Sequence, residues 1–191
     1  GLGAEVTIAY RGEQILRGFD DDVRHHLRDE LVRKGLDVRL QCDLRSIERR
    51  GDGSLAATIV TAGTPQQLEV DAVLFATGRQ PVTAGLGLEA AGVQLDAHGA
   101  VIVDEYSRSS VPNIHAVGDV TNRVALTPVA IREGAAVATT LFGGQRVAVD
   151  HRDVPHAVFS QPPVGTVGLS EAAASAAYDS VDVYTATFRP L

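Results

Sequence analysis

The sequence contains a single cysteine, Cys42, and has neither methionine nor tryptophan. One cysteine excludes an intrachain disulfide and any redox centre built from a cysteine pair within these residues. Cys42 lies at the end of a predicted strand, where we expect a small core residue rather than a reactive thiol. A lone thiol also suits a reducing compartment, so we expect a cytoplasmic location.

Positive charge and long apolar runs are scarce as well. The formal net charge is −7, which argues against nucleic acid and anionic membranes as partners. No apolar run approaches the length of a membrane span. The histidines have no zinc-ligand spacing, and His25 and His26 are adjacent on a predicted helix, so no metal site is predicted. We find no nucleophile elbow, P-loop or carboxylate dyad, and we assign no catalytic residue to this chain.

The first part of the chain alternates strand and helix patterns. Apolar residues make up 45% of the sequence, which is enough for a core. Asp20 can cap a helix that ends near Lys34, and Asp52-Gly53 indicates a hairpin turn. The predicted strands are 5–10, 37–41, 44–49, 55–61 and 67–70. We therefore expect an α/β fold with an antiparallel hairpin insert.

The run Ala72–Ala76 is apolar throughout, which predicts a central parallel strand covered on both faces. It leads into a loop that contains Gly78 and Arg79, at the edge where open α/β sheets bind ligands. Gly78 would let its backbone approach a cofactor closely. A plain strand exit explains the same loop equally well.

The stretch from Ile114 to Pro128 is the most informative part of the sequence. A short apolar strand runs into Gly118-Asp119, and Thr127 is predicted to cap a helix with Pro128 at its first position. Such a helix start has free N–H groups and partial positive charge. Asp119 supplies an acceptor for a polyol or ribose hydroxyl. These features suit FAD, although an ordinary strand–turn–helix is the alternative interpretation.

Further strand patterns follow the loop after residue 81. We predict a strand at 101–103 and a helix from Pro128 to about Phe142, ended by Gly143-Gly144. A polar connector follows it. Beyond Val154 the predicted strands are 156–160, 164–169 and 181–188, with a helix capped by Ser170-Glu171. This order indicates the opening of an α+β domain.

The residues after the first strand distinguish between nicotinamide cofactors. An acidic group there accepts from the 2′-hydroxyl of NAD, whereas arginine accommodates the 2′-phosphate of NADP. Arg11 ends the strand and Arg17 lies in the same loop, which favours NADPH. Glu13 is the alternative, because its carboxylate could bind the ribose while both arginines are merely solvated.

With these motifs in hand, the chain resembles the flavoprotein disulfide reductases. The resemblance is carried by Tyr10-Arg11 with Leu16 to Asp20, Phe75 to Arg79, Val103 to Arg108, Ala116 to Glu133 and Phe159 to Glu171. It implies FAD and NADPH as cofactors and a Rossmann-like NADPH domain at residues 1–81 with its first strand missing. It further implies a central FAD segment at 82–150 and the start of a dimer-interface domain at 151–191.

The resemblance also implies roles for individual residues. Asp119, with Gly118 beside it, would bind the ribityl chain of FAD, and Arg11 and Arg17 would clamp the 2′-phosphate of NADPH. Three residues would bring the helix start to the flavin ring: Ala125, Leu126 and Thr127. On the NADPH side, Gly78 would contact the nucleotide with Arg79 beside it, and Val167 would lie near the nicotinamide.

The reaction implied is NADPH-dependent reduction of glutathione disulfide by a homodimeric parent protein. Related enzymes that act on trypanothione, mycothione, mercuric ion or dihydrolipoamide couples remain open, since substrate residues fall outside this segment. We expect the chain to be a piece of a longer polypeptide, and we expect the redox cysteines to lie outside this piece. If 191 residues were the natural product, a non-catalytic nucleotide-binding module would be the better interpretation.

Overall fold

The computed structural model describes residues 3–188, and these fall into two compact units. One unit comprises the residues up to 75 together with those from 153 onward, and the other comprises residues 76–152. The strands are β1 (Thr7–Ala9), β2 (Asp37–Arg39), β3 (Cys42–Arg49), β4 (Leu55–Thr61), β5 (Thr64–Val70), β6 (His156–Val158) and β7 (Val164–Thr166). The helices are α1 (Asp21–Arg33), α2 (Thr127–Phe142), α3 (Glu171–Ala177) and a 3₁₀ helix (Gly118–Thr121).

The first unit begins with a parallel β1–α1–β2 arrangement, which confirms the predicted strand–helix–strand order. β1 and β2 pair from Thr7–Asp37 to Ala9–Arg39. α1 buries Leu27 and is followed by Gly35 at φ +89°, a backbone conformation that glycine adopts at little cost when a helix ends. This mixed α/β arrangement is a partial Rossmann-like unit.

An antiparallel sheet of β3, β4 and β5 follows, as the hairpin pattern predicts. Asp52 holds the first turn, because its Oδ1 accepts a 2.9 Å hydrogen bond from the N–H of Ser54. β5 starts three residues earlier than predicted, since Ala62 (φ +49°) and Gly63 (φ +79°) form a tight two-residue turn. Cys42 is 2% exposed, which confirms it as a core residue.

The two predicted side-chain caps of this unit behave differently. Ser170 caps α3 as predicted, since its side chain accepts from the N–H of Ala173 at 3.2 Å. Asp20 occupies the N-cap position of α1, but the predicted capping hydrogen bond is absent. Its Oδ1 instead accepts from the N–H of Glu171 at 2.6 Å. A long-range partner in the first turn of α3 has therefore replaced the local one.

The prediction of a central parallel strand over Ala72–Ala76 is wrong for the described residues. Leu74 is 89% exposed, and the segment pairs with no strand in the described part of the chain. An apolar run becomes a strand only where a neighbour takes up its backbone hydrogen bonds. Composition alone does not supply that neighbour.

The same reason accounts for three other predicted strands. The strand at 101–103 is reduced to one bridge between Leu95 and Val101. The short strand predicted to run into Gly118-Asp119 is reduced to one bridge between Arg108 and His115. Residues 181–188 form no strand in the structure as described. Residues 76–152 are instead ordered by turns, by α2 and by a small core of Val93, Ala100, Val101, Val129 and Ala136.

Candidate functional site

The loop between β1 and α1 presents two arginines to solvent. Arg11 and Arg17 are both exposed, and neither makes an ion pair or hydrogen bond within residues 3–188. The start of the loop is fixed, because the N–H of Cys42 donates to the carbonyl of Tyr10 at 3.0 Å. Guanidinium groups without protein partners are suited to bidentate binding of a phosphate.

Gly118 stands at a position that only glycine fits. Its φ is +72°, and a Cβ there would lie 3.0 Å from the Cβ of Ala130 on α2. Its N–H donates a 2.6 Å hydrogen bond to Oε2 of Glu133. The backbone at Gly118 is therefore fixed against α2 by both packing and a hydrogen bond.

Glu133 is a buried carboxylate that joins three segments. It is 1% exposed, and its Oε1 lies 2.9 Å from Nη2 of Arg123 and 2.6 Å from Nε2 of His151. Sequence reasoning missed all three residues. A signal was present, because Glu133 occupies the buried stripe of α2 between Val129 and Ala136, where helical periodicity calls for an apolar residue.

Asp119 follows Gly118 in the 3₁₀ helix and faces solvent, with its side chain 44% exposed. Its Oδ2 accepts a 2.6 Å hydrogen bond from Nη2 of Arg79. Its Oδ1 has no hydrogen-bond partner in the described part of the chain, so it can accept from a ligand hydroxyl. The structure thus brings Arg79 and Asp119 together, a pairing that the sequence did not suggest.

The start of α2 differs from its prediction in one respect. Thr127 is the first helical residue rather than the cap, and the N-cap position belongs to Leu126, which has no side-chain acceptor. No side chain caps this helix. The N–H groups of Leu126 and Val129 already donate to backbone carbonyls, so the N–H of Thr127 is the one left for an external acceptor within the described first turn. Ala125 and Thr127 are exposed beside them.

The two remaining predicted contacts lie in different units. Gly78 is exposed at φ +132° in the unit formed by residues 76–152. Val167 directly follows β7 and is 64% exposed, in the unit that also holds Arg11 and Arg17.

Two aspartates stabilise loops in the unit formed by residues 76–152. Amide donors at Ala100 and His98 hold the pKa of Asp96 below its ordinary value of 3.8. Partial burial raises the pKa of Asp104, but amide donation from Arg108 and Tyr106 outweighs it, so the net shift is also downward. Both carboxylates are anchors of turns rather than reactive groups.

The described residues also bear on metal binding and membrane insertion. Across positions 3–188, no group of three or more His, Cys, Asp or Glu side chains is arranged to hold a metal ion. Within the same range, every helix falls short of the length and apolar character needed to cross a membrane. His156 is engaged locally, with its Nδ1 2.7 Å from the carbonyl oxygen of Val154.

The donor set in residues 76–152 fits FAD. Asp119 offers a carboxylate oxygen to a polyol. The uncapped start of α2 offers the N–H of Thr127 and partial positive charge to a ring that becomes anionic on reduction. In the other unit, Arg11 and Arg17 fit the doubly charged 2′-phosphate of NADPH.

Comparisons with known proteins agree with this chemistry. Residues 1–134 match the family described as pyridine nucleotide-disulphide oxidoreductase, and residues 154–191 match the dimerisation domain of that family. The whole chain is 54% identical to glutathione reductase of Burkholderia cepacia over 191 residues, 42% of that protein. It is 47% identical to trypanothione reductase of Trypanosoma congolense over 190 residues, 38% of that protein.

A solved structure extends the likeness to three dimensions. The HOCl-induced flavoprotein disulfide reductase RclA from Escherichia coli superposes with a TM-score of 0.81 at 31% identity, over 91% of this chain and 39% of that one. The chain spans about two fifths of the length of the curated relatives that it matches. It belongs to the pyridine nucleotide-disulphide oxidoreductase family, and this membership implies FAD and NADPH as cofactors.

Proposed function

We propose that the complete protein containing this chain is an NADPH-dependent FAD flavoenzyme that reduces glutathione disulfide. The observation that carries the NADPH part is the pair of exposed, unpaired arginines in the loop after β1. The substrate follows from the relatives named as glutathione reductases at 54% and 44% identity. Trypanothione disulfide is the second candidate, because two trypanothione reductases are each 47% identical to the chain.

In this proposal Arg11 and Arg17 bind the 2′-phosphate, a group that NADPH carries and NADH lacks. Gly78 contributes its backbone, which carries no side chain, and Arg79 and Val167 complete the NADPH contacts. Glu13 is exposed in the same loop, and its use as a ribose-binding carboxylate is the rival assignment.

On the FAD side, Asp119 accepts from ribityl hydroxyl groups and Gly118 holds it in place. Ala125, Leu126 and Thr127 present the start of α2 to the pyrimidine edge of the ring. FAD held there would supply the two-electron chemistry that links NADPH to a disulfide. The partial positive charge at the start of α2, together with the N–H of Thr127, would stabilise negative charge at that edge.

We further propose the domain assignment that the resemblance implies. Residues 1–81 belong to the NADPH domain, 82–150 to the FAD domain and 151–191 to a dimer interface. The match to a dimerisation domain supports a homodimer, and we place the complete protein in the cytoplasm.

Steady-state turnover of the complete protein with glutathione disulfide tests this proposal. We expect kcat/KM to be roughly tenfold or more higher with NADPH than with NADH, since one charge-assisted contact is worth that much. Arg11→Ala combined with Arg17→Ala should reduce the difference in kcat/KM between NADPH and NADH. Arg45 is an exposed arginine on β3, and Arg45→Ala should leave that difference unchanged. Equal rates with both nucleotides would overturn the NADPH assignment. Faster turnover of trypanothione disulfide would reassign the substrate.

A further inference from the structure

The loop that carries Arg11 and Arg17 lacks regular secondary structure of its own. Leu16 adopts φ +54° and Gly18 φ +96°, so the chain bends sharply just before and after Arg17. A loop of this kind keeps one shape only where other elements hold its backbone. The position of each arginine therefore depends on what grips the neighbouring carbonyls and amides.

The Arg11 end is held by the sheet. The N–H of Tyr10 donates to the carbonyl of Arg39 at 2.9 Å, and the N–H of Gln41 donates to the carbonyl of Gly12 at 3.0 Å. These backbone contacts lie on either side of Arg11. Side-chain substitutions leave them in place.

The Arg17 end is closed by a 3.2 Å hydrogen bond from the N–H of Phe19 to the carbonyl of Leu16, and it is tied to α1 by the side chain of Arg24. Its Nη2 donates to the carbonyl of Gln14 and its Nε to the carbonyl of Ile15, both at 2.9 Å. Its Nη1 pairs with Oδ1 of Asp21 at 2.6 Å, which fixes the plane of the guanidinium. One fork of donors thus grips two consecutive carbonyls just before Arg17.

The surroundings of Arg24 make its hydrogen bonds to the two carbonyls hard to replace. The side chain of Arg24 is only 19% exposed, and Gln14 is 5% exposed. A planar guanidinium can serve two carbonyls and a carboxylate at once, whereas a lysine ammonium is a single point of donation. Without Arg24, two part-buried carbonyls lose their donors and the loop is free to rearrange.

We propose that Arg24 is a positioning residue for nicotinamide selectivity: it holds the loop so that Arg17 faces the 2′-phosphate of NADPH. This rests on the proposed function, in which Arg11 and Arg17 bind that phosphate. Arg24 acts through Arg17, because its own donors are engaged by Gln14, Ile15 and Asp21. Arg11 is anchored by the sheet and keeps its place.

The test compares Arg24→Met with Arg28→Met in the complete protein. Arg28 lies one turn further along α1, and within residues 3–188 its side chain donates to Asp29 alone. We expect Arg24→Met to raise the KM for NADPH roughly fivefold to tenfold, with kcat and the KM for NADH unchanged. Arg28→Met should leave all of these values as they are. A matching rise in the KM for NADH would show a general structural role and overturn the proposal.

A binding measurement separates the proposal from turnover. Calorimetry with 2′,5′-ADP, which carries the 2′-phosphate, should show weaker binding to Arg24→Met, while 5′-AMP binds as before. Should Arg24→Met fail to fold, Arg24→Lys keeps the charge but cannot reach both carbonyls, and it should show the same selective loss. Unchanged 2′,5′-ADP affinity in a folded variant overturns the proposal.

A double-variant cycle distinguishes positioning from direct contact. If Arg24 acts through Arg17, adding Arg24→Met to Arg17→Ala should cost little further selectivity. Fully additive losses would mean that Arg24 binds the phosphate itself, which overturns the positioning role. A parent protein that fails to distinguish NADPH from NADH would defeat the proposed function instead, so the two failures are distinguishable.

Discussion

The main-chain N–H of Gly118 donates a 2.6 Å hydrogen bond to the carboxylate of Glu133, fifteen residues further along the chain. This contact joins the turn that carries Asp119 to the buried stripe of α2. Because the same carboxylate also meets Arg123 and His151, one buried group fixes the backbone at the proposed flavin site. The geometry of that site therefore depends on a residue that does not face the ligand.

Replacing Glu133 should destabilise the protein. Glu133→Ala leaves the N–H of Gly118 without its acceptor and removes the carboxylate partner of Arg123, at a cost of about 2–4 kcal/mol. Urea and thermal unfolding midpoints measure this effect. Glu89→Ala, an exposed glutamate of the same unit, should change stability by less than about 0.5 kcal/mol. Coincident midpoints for the wild type and Glu133→Ala would contradict the role given to this carboxylate.

Gly118→Ala should weaken the retention of FAD. A left-handed backbone costs a residue with a Cβ about 1–2 kcal/mol, and the new methyl would also press against Ala130 at 3.0 Å. The ratio of flavin to protein absorbance in the purified complete protein measures the loss. Gly51→Ala is the control, because a Cβ there meets nothing within 4 Å and its φ is not positive. Full flavin content in Gly118→Ala would show that this backbone tolerates displacement.

Salt should distinguish the two nicotinamides. Arg11 and Arg17 are exposed, so their attraction for a doubly charged phosphate is screened once the Debye length falls to about 3 Å near 1 M salt. The KM for NADPH should therefore rise more steeply with sodium chloride concentration than the KM for NADH. Parallel salt dependences would argue that the two guanidinium groups do not face the phosphate.

Glu13→Gln tests the rival assignment in the same loop. If Arg11 and Arg17 read the 2′-phosphate, removing the charge of this exposed carboxylate should leave the KM for NADH within about twofold of its original value. A large rise confined to NADH would instead identify Glu13 as a ligand of the ribose hydroxyls. Steady-state kinetics with both nucleotides decide between the two.

Acid should remove the contribution of Asp96. Its carboxylate accepts from the amides of Ala100 and His98 at 2.9 and 2.8 Å, and these donors hold its pKa below 3.8. A depressed folded-state pKa gives stability that is present above the unfolded value and lost as the pH falls through the folded one. The difference in unfolding free energy between wild type and Asp96→Ala should be constant from about pH 5 to 8. It should shrink as the pH falls below about 4. A gap that persists at lower pH would contradict this account.

Local signals in the sequence were sufficient for elements that satisfy their own backbone. The hairpin at Asp52-Gly53, the helix that ends at Gly143 and the cap at Ser170 all have partners within a few residues. Hydrogen bonds of this range follow from residue type and spacing. The assignment to a mixed α/β fold of this family was also within reach of motifs alone.

Local signals failed at Ala72–Ala76 and at Asp20. Ala72–Ala76 has the composition of a central strand, yet it pairs with no strand in the described residues. Asp20 has the residue type of a helix cap, yet its carboxylate accepts from Glu171, which lies 151 positions away. Residue type gives the capacity to form a contact, whereas the neighbour is chosen by the fold.

The sequence by itself determined the fold class, the family and the kinds of side chain available to hold two cofactors. Only the tertiary structure decided that Glu133 fixes Gly118, that Arg79 pairs with Asp119 and that Arg24 grips the loop before Arg17. The physical reason is the distance along the chain over which each kind of interaction acts. Composition and spacing act over one or two turns of chain, while these hydrogen bonds and this ion pair join groups that meet only after the chain has folded.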